Sequence, residues 1–126
     1  MELDLHGAQP IYLQVAQALE DAILSGLFAQ GEPVPSTTEL SITYKINPAT
    51  ALKGVNLLVD EGILYKKRGV GMFVAQGAQQ SILHKRQRQI YDSYILQLVR
   101  EARRLHLSQA DVQAMLRKGF GGTDHE

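Results

Sequence analysis

Between Pro10 and Ser25, apolar and polar residues follow one another with the period of a helix. The apolar side chains recur at three- and four-residue spacing: Ile11, Leu13, Val15, Ala16, Leu19, Ile23 and Leu24. This spacing places them on one face of an α-helix, and Gly26 follows as a residue that can end it. We therefore predict an amphipathic helix whose apolar face must pack against other elements.

A second, shorter helix is predicted after the turn at residues 31–35. Ser36 and Glu39 form a capping box, in which the side chain of each residue accepts a hydrogen bond from the backbone N–H of the other. The helix should run from about Thr37 to Tyr44. Its apolar positions are Leu40, Ile42 and Tyr44.

A third helix is predicted to begin at Asn47. The Asn47 side chain can cap the first backbone N–H groups, and Pro48 lies in the first turn, where its missing N–H costs nothing. Gly62 marks the end of this helix. Two helices joined only through Lys45 and Ile46 are typical of a helix-turn-helix. The apolar residues of the third helix are Leu52, Val55, Leu58 and Val59.

A β-hairpin is predicted after the third helix. Residues 63–65 and 72–74 are short apolar segments on either side of a basic, glycine-containing tip. Three helices followed by a hairpin, all within about 75 residues, form the plan of a winged helix-turn-helix domain. The tip of the hairpin consists of Lys66, Lys67, Arg68, Gly69, Val70 and Gly71.

Taken in order, these motifs resemble the DNA-binding domain of GntR-type transcriptional regulators. The Asn-Pro-x-Thr opening at Asn47 and the short C-terminal part resemble the YtrA-like subfamily, whose members carry a small helical dimerisation region. Several motifs in the correct order are more specific than one short motif. The segments that carry the resemblance are residues 10–14, residues 31–40, the helix from Asn47, and residues 68–74.

The resemblance implies which residues lie at the DNA. Family members place at or near DNA the positions of Thr38, Asn47, Ala49, Thr50, Lys53, Arg68 and Gly69. The predicted DNA-binding set is completed by Ser36, Thr37, Lys45 and Lys67.

The chain departs from the family at several of these positions. Thr38 stands where the family usually has arginine, and Ala49 where the subfamily often has asparagine. Pro48 and Leu52 occupy positions that are arginine in many relatives outside the subfamily. Each difference removes a possible bidentate contact to guanine or adenine, so DNA shape gains importance. The remaining candidates for base contacts are Asn47, Thr50 and, through its methyl group, Ala49.

The charge of the chain is unevenly distributed, although its formal net charge is zero. Residues 1–35 contain five acidic residues and no Lys or Arg, whereas residues 36–71 carry a net +2. A local basic surface is sufficient for phosphate contacts, with modest non-specific affinity. The run Lys66–Arg68 alone is more typical of a solvated hairpin tip than of a DNA contact. Its position behind a helix-turn-helix is what favours DNA contact.

The remaining composition argues against several other functions. The chain has no cysteine, which excludes disulfides and thiolate zinc sites. Its four histidines are scattered, and no nucleophile–base pair or phosphate-binding glycine loop is evident. We therefore expect no metal, no cofactor and no catalysis. The apolar runs are too short to span a membrane and the N-terminus is acidic, so we expect a cytoplasmic location.

The chain changes character after Ala75. We predict a winged helix-turn-helix domain over residues 1–75, followed by a linker at the polar residues 76–81. Residues 82–119 would form a short two-helix dimerisation region, and residues 120–126 a disordered tail. The expected fold is mainly α-helical with a small β-hairpin.

The first helix of the C-terminal region should run from Ile82 to about Leu105. A second helix would begin after Ser108 as its cap and end at Gly119. Apolar residues at alternating four- and three-residue steps form the seam of the first helix: Tyr91, Ile95, Leu98, Ala102 and Leu105, widened by Ile90 and Tyr94. The apolar side of the second helix consists of Val112, Met115 and Leu116.

Two helices of this size cannot bury these apolar stripes by themselves. They could pack back onto the winged helix-turn-helix, or they could form a symmetric homodimer. We favour the homodimer, because the seam is long and because two copies of the third helix can contact an inverted repeat in double-stranded DNA.

The function predicted from the sequence is a sequence-specific, DNA-binding transcriptional regulator, a repressor that acts as a homodimer. The resemblance also implies a small effector. The tail of about 45 residues must provide dimerisation as well, so a pocket inside one tail is not expected, and an effector would bind at the dimer interface. The alternative is a winged-helix adaptor that binds proteins and not DNA.

Overall fold

The computed structural model describes residues 3–122. These residues form two compact units, the first ending at His84 and the second beginning at Lys85. The predicted fold class, mainly α-helical with a two-stranded antiparallel hairpin, is confirmed. The elements are α1 (Ile11–Leu24), α2 (Thr37–Tyr44), α3 (Pro48–Asp60), β1 (Leu64–Lys67), β2 (Gly71–Val74), α4 (Ala78–Ile90), a π-helical segment (Tyr91–Ile95), α5 (Leu96–Arg104) and α6 (Gln109–Gly122).

All the elements of the first unit contribute to one apolar core. α1 packs against α3, α3 packs against α2 and β1, and the apolar face predicted for α1 lies at the centre. Burial of each such side chain contributes about 1.5–3 kcal/mol, so the short elements stabilise one another. The largest buried apolar side chains are Leu19 and Ile23 of α1, Leu40 of α2, Leu58 of α3, Ile63 and Leu64 before and in β1, and Ile82 of α4.

α2 and α3 form the predicted helix-turn-helix. The capping box at the start of α2 is present: the Glu39 N–H donates to Ser36 Oγ at 3.0 Å, and the Ser36 N–H donates to Glu39 Oε1 at 2.9 Å. Lys45 ends α2 in the left-handed conformation, with φ 55°. The chain can then turn at once into the cap of α3.

Ile42, one of the three apolar positions of α2, does not contribute to the core. Leu40 is buried, but the Ile42 side chain is 72% exposed. Two residues of an α-helix are about 200° apart around its axis, so Ile42 points away from the core that Leu40 enters. Tyr44, four residues after Leu40, packs partly against that core.

Gly54 allows α1 and α3 to approach each other closely. A Cβ atom at this position would lie 2.7 Å from the backbone oxygen of Tyr12 and 3.0 Å from the Cβ atom of Val15. Gly54 itself is buried. The absence of a side chain therefore sets the distance between the two helices, and it brings Tyr12 beside α3.

The predicted β-hairpin is present, and a third short extended segment pairs with β2. Leu64 pairs with Val74 and Lys67 with Gly71. On the other side of β2, the Val34 N–H donates to the backbone oxygen of Met72 at 3.0 Å, and an isolated bridge joins Pro33 to Phe73. The turn before α2 is therefore attached to the hairpin.

The predicted linker at residues 76–81 is wrong in its second half, because α4 begins at Ala78. Ala78 and Ile82 are buried in the core of the first unit, and the Gln79 side chain donates to the backbone oxygen of Ile23 at 3.0 Å. The small polar residues of this segment thus begin a helix on the core. The first unit extends beyond residue 75, to His84.

The single long helix predicted from residue 82 is interrupted by a turn of π-helix at Tyr91–Ile95. The Leu96 N–H donates to the backbone oxygen of Tyr91, five residues earlier. A π-turn holds more residues than an α-turn, so the four- and three-residue steps of the predicted seam do not describe one straight stripe across it. Beyond the interruption, Ala102 of α5 is buried.

α6 starts as predicted but ends later. The Asp111 N–H donates to Ser108 Oγ at 3.1 Å, and the Ser108 N–H donates to Asp111 Oδ2 at 2.8 Å, so the predicted cap at Ser108 is confirmed. The helix passes through Gly119 and continues to Gly122. The predicted disordered tail is therefore wrong for residues 120–122, and residues 123–126 lie outside the described part of the chain.

Candidate nucleic-acid interface

The N-terminal turn of α3 is exposed and carries a polar cap. Asn47 Oδ1 accepts a hydrogen bond from the Ala49 N–H at 2.8 Å, which confirms the predicted cap. This contact occupies the amide oxygen and leaves the amide nitrogen as a donor for a partner. Asn47 and Ala49 are exposed and Thr50 is half-buried, so the structure presents the predicted residues of this turn together.

The exposed face of α3 continues beyond this turn. It consists of Ala49, Leu52, Lys53 and Asn56, which lie three or four residues apart and are all exposed. The opposite face, with Ala51, Val55 and Leu58, is buried. α3 therefore has one buried side that anchors it and one free side, about two turns long, that a partner could contact.

Lys53 is held by an aromatic ring of α1. Its Nζ atom lies 4.1 Å from the centre of the Tyr12 ring, a cation–π contact. The contact depends on the close approach of α1 and α3 at Gly54, and it gives the Lys53 side chain a defined position beside α3.

The start of α2 carries three further residues of the predicted DNA-binding set. Ser36 and Thr38 are exposed, and Thr37 is half-buried. The Ser36 backbone N–H and then its hydroxyl stabilise the Glu39 carboxylate, so the pKa of Glu39 lies below its ordinary value. Since Ser36 Oγ also accepts from the Glu39 N–H, the first function of Ser36 is structural.

Lys45 occupies the turn between α2 and α3. Its side chain is exposed, and its positive φ of 55° is unusual for a residue with a side chain. Its backbone N–H donates to the Ser41 oxygen. The conformation places a cation in the turn itself, next to the cap of α3.

The tip of the hairpin is a tight turn with Arg68 and Gly69 at its centre. The Val70 N–H donates to the Lys67 oxygen at 2.9 Å, and Gly69 has a φ of 76° that a side chain would disfavour. Arg68 and Gly69 are exposed, as predicted. Val70, which the sequence did not single out, is 72% exposed beside them.

Lys67 lies on an aromatic pair and not at the outermost point of the tip. Its Nζ atom is 4.5 Å from the centre of the Phe73 ring and 6.0 Å from that of Tyr65. The two rings are cross-strand partners whose centres are 5.8 Å apart. Tyr65 therefore packs within the hairpin, and Arg68 lies beyond this aromatic pair, at the centre of the turn.

Two residues of this surface were missed by the sequence analysis. Tyr12 was missed because its contact with Lys53 joins residues far apart in the chain. Asn56 was missed because the predicted DNA-binding set ended at Lys53 on this helix. The three-residue step from Lys53 to Asn56 on a helix with a known buried side was a signal that could have found it.

The described part of the second unit shows a partly exposed apolar hollow between α5 and α6. Its volume is about 480 Å³, which is in the range of ligand sites. Because this hollow is partly open, the expectation that one tail encloses no ligand pocket stays a prediction. Apolar residues that line it are Ile95, Leu98, Val99, Ala102, Leu107, Val112 and Leu116.

The remaining residues predicted for dimerisation are mostly exposed. Apolar side chains on a surface without a partner favour association. These side chains are Ile90, Tyr91, Tyr94, Leu105 and Met115.

Two further observations on the described residues concern a metal-ligand cluster and a membrane-spanning helix. Among residues 3–122, no three His, Asp or Glu side chains are grouped so that they could hold a metal ion. Among the same residues, no helix is both long enough and apolar enough to cross a membrane.

The first unit has the architecture of a winged helix-turn-helix domain with one exposed helix tip and one exposed basic loop. The family model for bacterial regulatory proteins of the gntR family matches residues 11–74, about half of the chain. The chain therefore belongs to the gntR family of bacterial regulatory proteins.

Known proteins similar to this chain include a repressor. The HTH-type transcriptional repressor YtrA of Bacillus subtilis (strain 168) is 30% identical over 83 residues, which are 66% of this chain and 64% of YtrA. The chain thus spans just under two thirds of the length of that relative.

Two solved structures extend the comparison. A GntR-family putative transcriptional regulator from Bacteroides thetaiotaomicron has a TM-score of 0.76 and 28% identity, and the match covers 90% of this chain and 98% of that one. The structure of AraR(DBD) in complex with operator ORX1 has a TM-score of 0.55 and 29% identity, covering 60% of this chain and 96% of that one.

Proposed function

We propose that this protein is a sequence-specific DNA-binding transcriptional regulator that acts as a repressor. The observation that carries the proposal is the exposed N-terminal turn of α3, which has small side chains, a free amide donor on Asn47 and a cation at Lys53. A helix end of this kind can approach base edges in a major groove. Membership of the gntR family and similarity to YtrA support the same function.

The residues of this turn have separate tasks in the proposed complex. The Asn47 amide nitrogen would donate to a base acceptor or a phosphate, and the Thr50 hydroxyl would contact the adjacent backbone. The Lys53 ammonium would neutralise a phosphate beside the groove. Contacts to phosphates position the protein, whereas contacts to base edges select the sequence.

The start of α2 and the hairpin would contact the DNA backbone on either side of α3. Ser36, Thr37 and Thr38 offer hydroxyl groups at the first turn of α2, and Lys45 adds a charge in the turn. Arg68 and Gly69 would reach the minor groove or its phosphates from the hairpin tip, because a narrow minor groove attracts cations.

A homodimer is proposed on the evidence of the second unit. The hollow between α5 and α6 and the exposed apolar side chains around it provide a surface that a second copy could cover. A symmetric dimer would carry two copies of α3 and therefore contact an inverted repeat. Light scattering should give twice the mass of one chain, and the mass of a single chain would refute the dimer.

Control by a small effector is a separate part of the proposal. The apolar lining of the hollow between α5 and α6 suits a ligand with an apolar body. In a dimer, this hollow would lie at or near the interface, so an occupant would change the relation between the two copies of α3. Since such a protein acts where the DNA is, we also propose a cytoplasmic location.

Selection of bound fragments from random duplex DNA tests the proposed function. The enriched sequences should form an inverted repeat, and the full chain should bind the enriched duplex far more tightly than a scrambled duplex of the same composition. The competing function is a winged-helix adaptor. It would be favoured if no sequence were enriched and if both duplexes bound with the same weak, salt-sensitive affinity.

A further inference from the structure

The exposed face of α3 contains two adjacent apolar side chains. Leu52 is 43% exposed although it lies in the middle of a helix whose opposite face forms the core. Ala49 is exposed three residues earlier, on the same side. Together they form the apolar pair of α3, which lines a shallow hollow of about 460 Å³ along the helix.

The surroundings of this pair favour nucleic acid over a protein partner. Two side chains are far too small for a stable protein–protein interface, which needs about 800 Å² on each side. Two charged residues line the hollow: Lys53, next to Leu52 in the chain, and Asp60, at the C-terminal end of α3. An occupant that lies over Ala49 and Leu52 beside Lys53 would therefore combine an apolar group with a nearby negative charge.

A DNA major groove offers one apolar group of this kind. The C5-methyl group of thymine is the apolar feature that base edges display there, whereas the other edges present hydrogen-bonding groups. A polar base edge covered by Leu52 would lose water without gaining a partner, which costs free energy. A methyl group in the same place would gain apolar contact.

We propose that Leu52, together with Ala49, is a specificity-determining residue that selects C5-methyl groups in the operator. The inference rests on the proposed DNA-binding function and adds the chemical feature that this helix recognises. In this arrangement Asn47 and Lys53 supply affinity and orientation, and the apolar pair supplies the preference for thymine at one or two positions of each half-site.

The test uses the full chain and the duplex obtained by selection. Each thymine is replaced in turn by deoxyuridine, which removes only the methyl group. Loss of one buried methyl group should weaken binding about fourfold at the one or two thymines that face α3. Replacing the uracil–adenine pair by a 5-methylcytosine–guanine pair restores the methyl group on a different base pair. If the protein recognises this position only through the methyl group, part of the affinity should return.

Variants connect the methyl effect to Leu52. L52A should weaken binding to the thymine duplex. The variant should then bind the thymine and deoxyuridine duplexes with the same affinity, so the effects of the two changes should not add. K53A serves as the matched control, because it should weaken both duplexes by the same factor and keep the fourfold difference. Both positions are exposed, and circular dichroism should show unchanged folding.

The outcomes separate the inference from the proposed function. If L52A keeps the full deoxyuridine effect, or if no thymine in a tightly bound duplex responds to removal of its methyl group, the inference is wrong and the DNA-binding function stands. If no duplex is selected, the DNA-binding function itself is wrong.

Discussion

The Lys53 ammonium lies 4.1 Å from the centre of the Tyr12 ring, across the junction of α1 and α3. Lysine side chains on a helix surface are usually mobile, and ordering one on binding costs up to about 2 kcal/mol of rotamer entropy. The ring reduces this cost by restricting the ammonium before DNA arrives. Tyr12 is thus a positioning residue, which acts through Lys53.

Replacement of Tyr12 should therefore weaken operator binding without removing a charge. We expect Y12L to weaken binding about two- to fivefold, in line with a cation–π contact of ~0.5–1 kcal/mol at an exposed site, with the salt dependence unchanged. Y12F keeps a ring and should behave like the unmodified protein. A steep change in salt dependence for Y12L, or equal losses for both variants, would contradict the role of the ring.

Removal of the cations themselves should change the salt dependence. We expect K53A and R68A each to weaken operator binding and to lower the slope of log affinity against log salt concentration by about one unit, since each phosphate contact releases about one counterion. K118A is the matched control, because Lys118 is an exposed cation on α6, and its slope should not change. Unchanged slopes for both test variants across a salt titration would refute their phosphate contacts.

The close approach at Gly54 predicts a stability effect. In G54A, the added Cβ atom would meet the Tyr12 backbone oxygen at 2.7 Å and Val15 at 3.0 Å, so α1 and α3 must separate. We expect a loss of about 1–3 kcal/mol in the free energy of unfolding, measured by urea denaturation.

A second glycine provides the control for G54A. Gly119 lies inside α6, and apart from its chain neighbours and the backbone of its own helix, a Cβ atom there would have no atom within 4 Å. G119A should raise stability by up to about 1 kcal/mol through helix propensity. A gain in stability for G54A as well would mean that the helices are not in contact at this position.

The capping box at α2 predicts a pH dependence. The Ser36 N–H and hydroxyl lower the pKa of Glu39 in the folded chain, so the folded state binds a proton at this site less readily than the unfolded state. Its contribution to stability is therefore present above the unfolded pKa and is lost as the pH falls through the folded pKa. We expect the melting temperature to decrease on acidification below about pH 4.5, the ordinary value for this carboxyl group.

Substitutions separate this site from the equivalent one in the second unit. E39Q should remove part of the pH dependence of melting. Asp111 has a lowered pKa for the same reason, from the Ser108 N–H and hydroxyl. D111N should leave the contribution of Glu39 in place. A pH profile that E39Q does not alter would show that the carboxylate form contributes nothing at α2.

The sequence predicts those parts of the fold that depend on local chemistry. The caps at Ser36, Asn47 and Ser108 each use a side chain that bonds to the backbone within three residues, so their pattern is visible in the chain. The β-hairpin likewise follows from its turn and its flanking apolar segments.

The features that the sequence did not predict depend on contacts between distant residues. Ala78 stands in a segment that resembles a linker, and its burial on the core of the first unit, one turn before Ile82, explains why the helix already begins there. Similarly, nothing local to Lys53 indicates Tyr12 as its partner. The π-turn at Tyr91–Ile95 left no signal in the spacing of apolar residues, which fits a plain α-helix equally well.

The bond from the Ala49 N–H to Asn47 Oδ1 has a consequence for how this regulator could acquire new targets. A change at Asn47 would disturb the fold and the DNA preference together, with about 1 kcal/mol lost from the helix cap. The side chains of Ala49 and Leu52 do not combine a structural role with DNA contact, because they are exposed and take no part in the cap of α3. New operator preferences should therefore arise at these two positions first, while Asn47 stays fixed.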